Sequence, residues 1–234
     1  MRIVGLQKMT LLDYPGRVAC TVFLGGCNFR CPFCHNGGLL DGAAPEVMSL
    51  VELLAFLKSR KGLLDGVCIT GGEPTLSPEL SGLLKEIKAL GFDVKLDTNG
   101  SRPQVLKQLV KAGLVDYVAM DVKNSPHCYA ATTGLKEAPL DALEESLRFL
   151  MEGNVDYELR TTVVRELHDR DAITEMGQWL SRLSGSRKIP KIFLQPFVNR
   201  DSVLDQNLHA METGEIAQIV ELLYTFAHEV TIRG

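Results

Sequence analysis

Three cysteines stand close together near the start of the chain, at Cys27, Cys31 and Cys34. Cysteine thiolates are ligands of soft metals and of iron–sulfur clusters. A structural zinc site needs four protein ligands, commonly from two Cys-x-x-Cys pairs, and this chain has no second pair. A [4Fe–4S] cluster is normally held by four cysteines, so three would leave one iron open to a ligand that is not protein. The spacing therefore favours a cluster that binds its substrate over a zinc ion.

The other three cysteines are scattered, and we do not expect disulfides. A chain of 234 residues is long enough to build its own hydrophobic core, and its first residues show no pattern of a secretion signal. Cys20 and Cys68 lie in short runs of β-branched residues, where a free cysteine behaves as a small buried hydrophobic side chain. Cys128 lies in a polar segment, and its position predicts no role.

Short apolar segments alternate along the chain with segments whose apolar residues repeat every 3.6 positions. Strands are predicted at 17–24, 66–70, 92–97, 116–122, 156–164 and 190–196, with a last strand at 229–232. Amphipathic helices are predicted between them, around 80–90, 105–110, 140–151, 173–183 and 216–227. This alternation predicts an α/β fold with parallel strands and outer helices, as either an open doubly wound sheet or an incomplete barrel.

Polar residues gather where these strands end. Ligands of parallel α/β folds bind at the carboxyl ends of the strands, so the side chains there are candidates for the chemistry. The candidates on strands two to five and in the loops that follow them are Gly71, Gly72, Glu73, Asp97, Thr98, Asn99, Asp121, Lys123 and Arg160. Alternation along a strand places Asp121 and Lys123 on the same side. A single polar strand end is ordinary, whereas a succession of them favours a binding site.

The overall composition is that of a globular protein. Hydrophobic residues make up 45% of the chain and charged residues 23%, and no apolar run approaches the roughly 20 residues that cross a bilayer. A net charge of −4 gives no long-range attraction for nucleic acid or anionic lipid. We therefore expect a single domain over residues 1–234, located in the cytoplasm, with neither nucleic acid nor a membrane among its partners.

The cysteine spacing resembles the signature of a known superfamily. Cys27-x-x-x-Cys31-x-x-Cys34, with Phe33 before the last cysteine, and the later Gly71-Gly72-Glu73-Pro74 are similar to two motifs of the radical S-adenosylmethionine (SAM) superfamily. Flanking segments resemble its glycyl-radical-enzyme activating enzymes over essentially the whole chain, at 13–17, 22–27, 34–36, 97–100, 120–123 and 230–234. The resemblance is closest to the longer-form activating proteins of anaerobic ribonucleoside-triphosphate reductase, which are related to pyruvate formate-lyase activating enzyme.

This resemblance implies an incomplete (βα)6 TIM-like barrel of the radical SAM type with one [4Fe–4S] cluster. It implies that Cys27, Cys31 and Cys34 are the catalytic residues that hold the cluster, and that SAM binds the open iron. In the pyruvate formate-lyase relative, a monovalent cation lies near the SAM carboxylate. The positions that match its ligands here are Asp97, Thr98 and Asp121.

The resemblance also implies a set of SAM-binding residues: Phe33, Gly71, Gly72, Glu73, Asp97, Asn99, Lys123 and Arg160. Gly72 would let the backbone approach the SAM amino group. Phe33 would meet the adenine through its backbone, and Lys123 would reach the SAM carboxylate. In the relative, a histidine after the sixth strand touches SAM, but this chain has Val198 there. That contact is expected to be absent or to come from another residue, either Gln195 or Asn199.

The implied reaction is the reductive cleavage of SAM to a 5′-deoxyadenosyl radical, which abstracts a hydrogen from a glycine of a partner glycyl-radical enzyme. The partner implied is anaerobic ribonucleoside-triphosphate reductase, and the reductant is a flavodoxin or a ferredoxin. Two alternatives remain, a radical SAM enzyme of a small molecule and a non-enzymatic iron–sulfur sensor or electron carrier. We expect the top of the barrel, at the carboxyl ends of the strands, to be open, and the partner to dock on a rim formed there by segments 13–16 and 124–138. The second segment is long for a strand–helix connection.

Overall fold

A computed structural model of the protein describes residues 1–40 and 44–233, so Gly234, the last residue of the closing motif, lies outside the described residues. Within them are eight β-strands and seven α-helices, and from β2 onward each strand is followed by at least one helix before the next strand. The strands are β1 (Ile3–Thr10), β2 (Ala19–Leu24), β3 (Gly66–Gly71), β4 (Asp93–Thr98), β5 (Tyr117–Asp121), β6 (Asp156–Val163), β7 (Ile189–Pro196) and β8 (Ala227–Ile232). The helices are α1 (Leu50–Ser59), α2 (Leu80–Ala89), α3 (Pro103–Lys111), α4 (Tyr129–Thr133), α5 (Leu140–Met151), α6 (Arg170–Leu183) and α7 (Thr213–Leu223).

The strands form one sheet in chain order, from β1 at one edge to β8 at the other. β1 is antiparallel to β2, whereas β2 pairs with β3, β3 with β4, β6 with β7 and β7 with β8 in parallel. The predicted α/β fold with parallel strands is confirmed. Each of the seven predicted strands is present, with ends within two residues of those predicted.

The described chain divides into two compact units, and the first comprises Met1–Asn28, Gly38–Ala119 and Asn154–Asp156. Strands β2 and β3 are almost wholly buried, as expected for parallel strands covered on both faces. Helices α1, α2 and α3 each bury one apolar side; these buried residues include Leu53, Leu57, Leu83, Leu84, Ile87, Leu106 and Leu109. Helix α1 is absent from the sequence prediction, although Ser49 and Glu52 form a capping box at its start.

The second unit comprises Phe29–Gly37, Met120–Gly153 and Tyr157–Gly234. Helices α5, α6 and α7 bury the apolar stripes that predicted them, and the buried residues include Leu143, Leu147, Leu150, Ile173, Met176, Leu180, Ile216 and Ile219. The single domain over residues 1–234 stays a prediction. No helix among the described residues is long and apolar enough to cross a membrane.

Strand β1 is absent from the sequence prediction, and its direction corrects one expectation. It is an edge strand whose middle residues are exposed or half-buried, so it lacks the apolar alternation that marks a strand. Because β1 is antiparallel, Thr10 pairs with Ala19 at the amino end of β2, while Ile3 pairs with Leu24 at its carboxyl end. Segment 13–16 therefore lies at the amino ends of the parallel strands. Its expected place on a rim at the carboxyl ends is wrong.

Tyr14, within this segment, packs under the sheet of the first unit. The side chain is 4% exposed, and its ring lies 5.9 Å from the ring of Tyr117 between centroids. A Cβ atom on Gly66 would come within 2.9 Å of the Tyr14 ring. Burial raises the pKa of the Tyr14 hydroxyl, and the carboxylates of Asp116 and Asp93 raise it further. Tyr14 thus has a packing role where β3 and β5 begin.

Segment 124–138 contains helix α4 and is packed into the second unit. Asn124 and Ser125 are fully buried. The side-chain amide of Asn124 donates to the Thr132 hydroxyl at 2.9 Å and to the Leu167 carbonyl at 2.7 Å. Segment 124–138 is therefore long because it contains a short helix that packs into the unit.

Candidate functional site

The three closely spaced cysteines follow β2, and none of them is in a disulfide bond. Cys31 is buried, at 6% exposure, while Cys27 and Cys34 are half-buried. The amide of Cys34 donates to the carbonyl of Cys31 at 3.0 Å, which makes a tight turn between these two residues. Cys27 belongs to the first unit, and the other two belong to the second. The predicted burial of Cys20 and Cys68 is confirmed.

In the first unit, the loop after β3 lies directly against the loop that leads to Cys27. A Cβ atom on Gly71 would lie 2.2 Å from the carbonyl oxygen of Leu24, and one on Gly72 would lie 2.0 Å from that of Gly26. The amide of Gly72 donates to the Leu24 carbonyl at 2.9 Å. Even alanine would collide with backbone at both positions, so only glycine fits. The Gly71-Gly72 pair is required to seat the cysteine loop.

Glu73, the third residue of this motif, is a buried carboxylate that joins the ends of β3 and β4. Its Oε2 accepts from the Asn99 amide at 2.6 Å, and its Oε1 accepts from the Thr98 hydroxyl at 2.8 Å and the Thr75 amide at 3.1 Å. Burial raises the pKa of the carboxyl, although the hydrogen bonds from Asn99 and Thr75 oppose the shift. Both oxygens are engaged by the protein, so Glu73 has a positioning role here. Its contact with SAM stays a prediction.

Asn99 connects the end of β4 to the residue that follows the first cysteine. Its side-chain amide donates to Asn28 Oδ1 at 2.9 Å, and the Asn28 amide donates to the Ser101 hydroxyl at 2.9 Å. The Asn99 side chain is also buried. Because Asn28 directly follows Cys27, these hydrogen bonds fix the backbone beside a candidate cluster ligand.

Asp97 and Thr98, at the end of β4, are engaged by groups of their own unit. The ammonium of the fully buried Lys95 lies 2.5 Å from Asp97 Oδ1. The Thr98 hydroxyl donates to Glu73 and accepts from the Gly100 amide at 3.1 Å. The part of the chain that the structure describes holds no group of three or more His, Cys, Asp or Glu side chains placed to hold one metal ion.

In the second unit, Asp121 is shared by two basic side chains. Its Oδ2 lies 2.9 Å from Lys123 Nζ and its Oδ1 lies 2.9 Å from Arg160 Nε. The Lys123 side chain is 15% exposed and the Arg160 side chain 12%, so little water screens these charges. The three charges sum to +1. Such a group suits an anionic ligand, of which a carboxylate is the simplest.

Lys123 also lies near the cysteine loop. Its ammonium is 5.9 Å from the centroid of the Phe33 ring. Burial lowers the pKa of the ammonium, but the carboxylate of Asp121 and the thiolate form of Cys31 raise it, and the net shift is upward. Lys123 is therefore charged at neutral pH. The second unit thus brings together four of the predicted site residues: Phe33, Asp121, Lys123 and Arg160. Arg160 joins the group through its contact with Asp121.

His168 supports this group and is not among the predicted site residues. It is fully buried, its Nε2 lies 2.8 Å from the Lys123 carbonyl oxygen, and its Nδ1 lies 3.1 Å from the Val164 amide nitrogen. This network assigns the neutral form with its proton on Nε2, and burial lowers the pKa of the ring. The ring meets Phe33 edge-on, at 6.4 Å between centroids. His168 is a single histidine far from Lys123 in sequence and belongs to no motif, so its contact with Lys123 could not be predicted from the sequence.

Helix α4 holds the cysteine loop, a second contact without a sequence prediction. The amide of Arg30 donates to the Thr133 carbonyl at 2.8 Å. A Cβ atom on Gly134 would lie 2.3 Å from the Arg30 carbonyl oxygen, and Gly134 has a φ of +66°. In sequence, a glycine after a helix indicates only a helix end. Here the same glycine also makes room for the backbone between the cysteines.

A third contact fixes the residue after the last cysteine. His35 Nε2 lies 2.7 Å from the Val198 carbonyl oxygen, and the His35 ring stacks on Phe197 at 5.6 Å. Val198, where the relative has its SAM-touching histidine, is 50% exposed. The Asn199 side-chain amide donates to the carbonyls of Gln206 and Leu208. The replacement for the missing SAM contact stays a prediction.

Comparison with known proteins identifies the family. Residues 21–176, more than half of the chain, match the family model of the radical SAM superfamily. This chain belongs to the radical SAM superfamily. The matched range contains the cysteine loop, the Gly71–Pro74 motif and both groups of polar strand ends described above.

Several relatives of this radical SAM protein have names that describe an activity. A protein of Methanocaldococcus jannaschii named "putative glycyl-radical enzyme activating enzyme" is 31% identical over 185 residues, which are 75% of this chain and 74% of the relative. The pyruvate formate-lyase-activating enzyme of Clostridium pasteurianum is 29% identical over 203 residues, 84% of this chain and 82% of the relative. A 7-carboxy-7-deazaguanine synthase of Neisseria meningitidis is 38% identical over 116 residues, 50% of this chain and 47% of the relative.

Solved structures agree with the family on the fold. The crystal structure of a domain of pyruvate-formate lyase-activating enzyme from Bacteroides vulgatus has a TM-score of 0.58 and 21% sequence identity. The alignment covers 72% of this chain and 99% of the Bacteroides vulgatus domain. The expected radical SAM-type fold is therefore confirmed.

Radical SAM proteins use a [4Fe–4S] cluster and SAM, and the residues of this chain fit both groups. Three cysteine thiols on one loop, none of them in a disulfide bond, are the soft donors that a cluster with one open iron requires. The buried positive charge around Asp121 suits the carboxylate of SAM. Cys27, Cys31 and Cys34 would hold the cluster, and Lys123 would bind SAM.

Proposed function

We propose that this radical SAM protein activates a glycyl-radical enzyme by forming a radical on a backbone glycine of that partner. The observation that supports this most is the extent of the similarity. The pyruvate formate-lyase-activating enzyme aligns with 84% of the chain and the putative activating enzyme with 75%, whereas two 7-carboxy-7-deazaguanine synthases align with 72% and 50%. The match that spans 84% of this chain and 82% of the relative is to an activating enzyme, and this extent favours the activating reaction.

In this proposal, the residues of the chain bind, orient and shield the cofactors. When bound, the reduced cluster and SAM supply a 5′-deoxyadenosyl radical and methionine for one electron, and hydrogen transfer from the glycine then gives 5′-deoxyadenosine and a glycyl radical. The Lys123 ammonium, held by Asp121, binds the SAM carboxylate, and Phe33 lies beside it to meet the adenine. His168 fixes the Lys123 backbone, and the packed side chains around these groups keep water away.

Two partners follow from this proposal. The first is a glycyl-radical enzyme, for which anaerobic ribonucleoside-triphosphate reductase is the expected identity. The second is a one-electron donor, either a flavodoxin or a ferredoxin, because the cluster must be reduced before SAM is cleaved. Gene neighbourhood is a direct check on the first partner. We expect a gene for a glycyl-radical enzyme next to the gene for this protein.

The experiment that tests the proposal uses the protein reconstituted with its cluster, reduced and mixed with SAM. A peptide that carries the glycine sequence of the candidate partner should raise 5′-deoxyadenosine formation and give the electron paramagnetic resonance signal of a glycyl radical. The same peptide with Gly→Ala is the control and should give no glycyl signal. Equal 5′-deoxyadenosine formation with both peptides, and no radical on either, would contradict the proposal.

The small-molecule alternative rests on two 7-carboxy-7-deazaguanine synthases, one 38% identical over 50% of the chain and the other 28% identical over 72%. It predicts that 5′-deoxyadenosine formation depends on a metabolite and that the glycine peptide has no effect. A non-enzymatic iron–sulfur sensor or electron carrier predicts no 5′-deoxyadenosine under any condition. The same measurement therefore separates the three functions.

A further inference from the structure

A buried lysine in β4 occupies an unusual position for its type. Lys95 has 0% exposure and lies in register with Cys68 of β3, which is also fully buried. Its ammonium is paired with Asp97, two residues further along the same face of the strand. Burying an ammonium is costly even when it is paired, and an apolar pair of similar volume stabilises a fold equally well or better. The Lys95–Asp97 pair is therefore not explained by stability alone.

The residues around this pair do not fit the monovalent cation that the family resemblance implies. Of its three expected ligands, Asp97 is paired with Lys95, and the Thr98 hydroxyl donates to Glu73 and accepts from the Gly100 amide. A metal cation would have to compete with a protein ammonium for the first ligand. It would find the second ligand already in two hydrogen bonds.

The third expected ligand is engaged as well. In the second unit, one oxygen of Asp121 pairs with Lys123 and the other with Arg160. The two expected carboxylates thus have three cationic side chains as partners, each within its own unit. The negative charge that would attract a metal cation is already balanced by the protein.

We propose that Lys95 is a positioning residue for SAM whose ammonium replaces the monovalent cation, so that this protein binds SAM without one. An ammonium carries the same unit charge as K⁺ and, unlike the ion, is fixed in place by the chain and cannot be lost to the solvent. Lys95 acts through Asp97, which it holds at the end of β4. The inference rests on the use of SAM by the family and is independent of the glycyl-radical partner.

The test measures SAM affinity of the cluster-reconstituted protein, not its turnover, so its outcome is separate from that of the proposed function. SAM is titrated in buffers of equal ionic strength whose monovalent cation is K⁺, Na⁺ or tetramethylammonium, which is too large for a metal site. The wild-type dissociation constant is expected to change by less than about twofold among the three buffers. A saturable gain of about tenfold on adding K⁺ to the wild type would overturn the inference, because it would reveal a cation site.

SAM binding by the Lys95→Met variant should depend on the monovalent cation in the buffer, whereas SAM binding by the wild type should not. Loss of a charge-assisted interaction predicts SAM binding weaker by about tenfold or more in tetramethylammonium, with recovery in K⁺. The control Lys88→Met breaks the pair between Lys88 and Asp116 in the same unit and should show no cation dependence. A loss in Lys95→Met that K⁺ does not reverse would show a purely structural role and overturn the inference. If that variant does not fold, Lys95→Arg, which keeps the charge, must bind SAM equally in all three buffers.

Discussion

The amide of Arg30 donates to the carbonyl of Thr133 at 2.8 Å, so the loop that carries the three closely spaced cysteines is held against the end of helix α4. Gly134, the next residue, has no space for a side chain against the Arg30 carbonyl. The geometry of the cysteine loop therefore depends on a helix more than 90 residues away in sequence. This contact leads to the first prediction.

Gly134→Ala should impair cluster binding. The added Cβ would lie 2.3 Å from the Arg30 carbonyl oxygen, so the cysteine loop must shift. We expect a lower iron content after reconstitution and a changed electron paramagnetic resonance spectrum of the reduced cluster.

The matched control is Gly113→Ala. Gly113 also follows a helix, has a φ of +65°, and has open space where the Cβ atom of an alanine would lie, with nothing within 4 Å. Both variants carry the same backbone strain of about 1–2 kcal/mol, but only Gly134→Ala disturbs the cysteine loop. Equal iron content in the two variants would contradict the role assigned to Gly134.

Replacement of any one of Cys27, Cys31 and Cys34 by alanine should abolish the cluster, because two thiolates cannot retain it. Iron content and the spectrum of the reduced cluster are the measurements. Cys128→Ala is the control, since Cys128 is a free, half-buried thiol outside the cysteine loop. Loss of the cluster in Cys128→Ala would show that the three-ligand assignment is wrong.

Lys123→Ala should weaken SAM binding without changing cluster content. A charge-assisted hydrogen bond is worth about 1.5–3 kcal/mol, which corresponds to roughly 10- to 150-fold in affinity. Titration of the reconstituted protein with SAM measures the effect. Lys85→Ala, which removes an exposed lysine of helix α2, is the control and should bind SAM as the wild type does. Unchanged affinity in Lys123→Ala would remove Lys123 from the SAM site.

Glu73→Gln should destabilise the fold. Oε1 and Oε2 both accept hydrogen bonds from donors at the ends of β3 and β4, and the glutamine amide can accept at only one of the two positions. A buried donor left without an acceptor costs about 1–3 kcal/mol in the free energy of unfolding. Urea unfolding measures the change, and Glu86→Gln on the exposed side of helix α2 is the control. If both variants unfold at the same urea concentration, the carboxylate does not join these strand ends.

The pH dependence of stability should report on His168. Burial lowers the pKa of its ring in the folded protein, whereas the unfolded residue has the ordinary pKa of about 6.5. Below that pH the unfolded state binds a proton that the folded state does not. The free energy of unfolding therefore falls as the pH falls from 7 to 5.5, by at most about 1.4 kcal/mol per pH unit from this group.

His168→Gln removes this contribution, so the stability of the variant should depend less steeply on pH over the same interval. Thermal unfolding at a series of pH values measures both slopes. His228→Gln is the control because His228 is exposed on β8, and its slope should match that of the wild type. A His168→Gln slope equal to the wild-type slope would show that His168 is not kept neutral by burial.

Several features of this protein could be predicted from the sequence because they depend on residues close together in the chain. The spacing of Cys27, Cys31 and Cys34 lies within one loop, and it indicated a cluster ligand set without any tertiary information. The parallel strands and most helices follow from apolar periodicity over short windows, since burial of one face sets that period. The placement of Asp121, the last residue of β5, on the same side as Lys123 just beyond the strand follows from the alternation of side chains along an extended chain.

Tertiary structure alone decided the contacts between residues far apart in sequence. The antiparallel direction of β1, an edge strand without apolar alternation, moved segment 13–16 to the opposite end of the strands from the expected rim. The contact of His168 with the Lys123 backbone and that of Gly134 with Arg30 each join distant segments. Neither contact leaves a local pattern, because a hydrogen bond or a close backbone approach constrains a single residue rather than a period. Sequence spacing could therefore predict the ligands of the site, while only the tertiary structure shows which residues hold the loop that carries them.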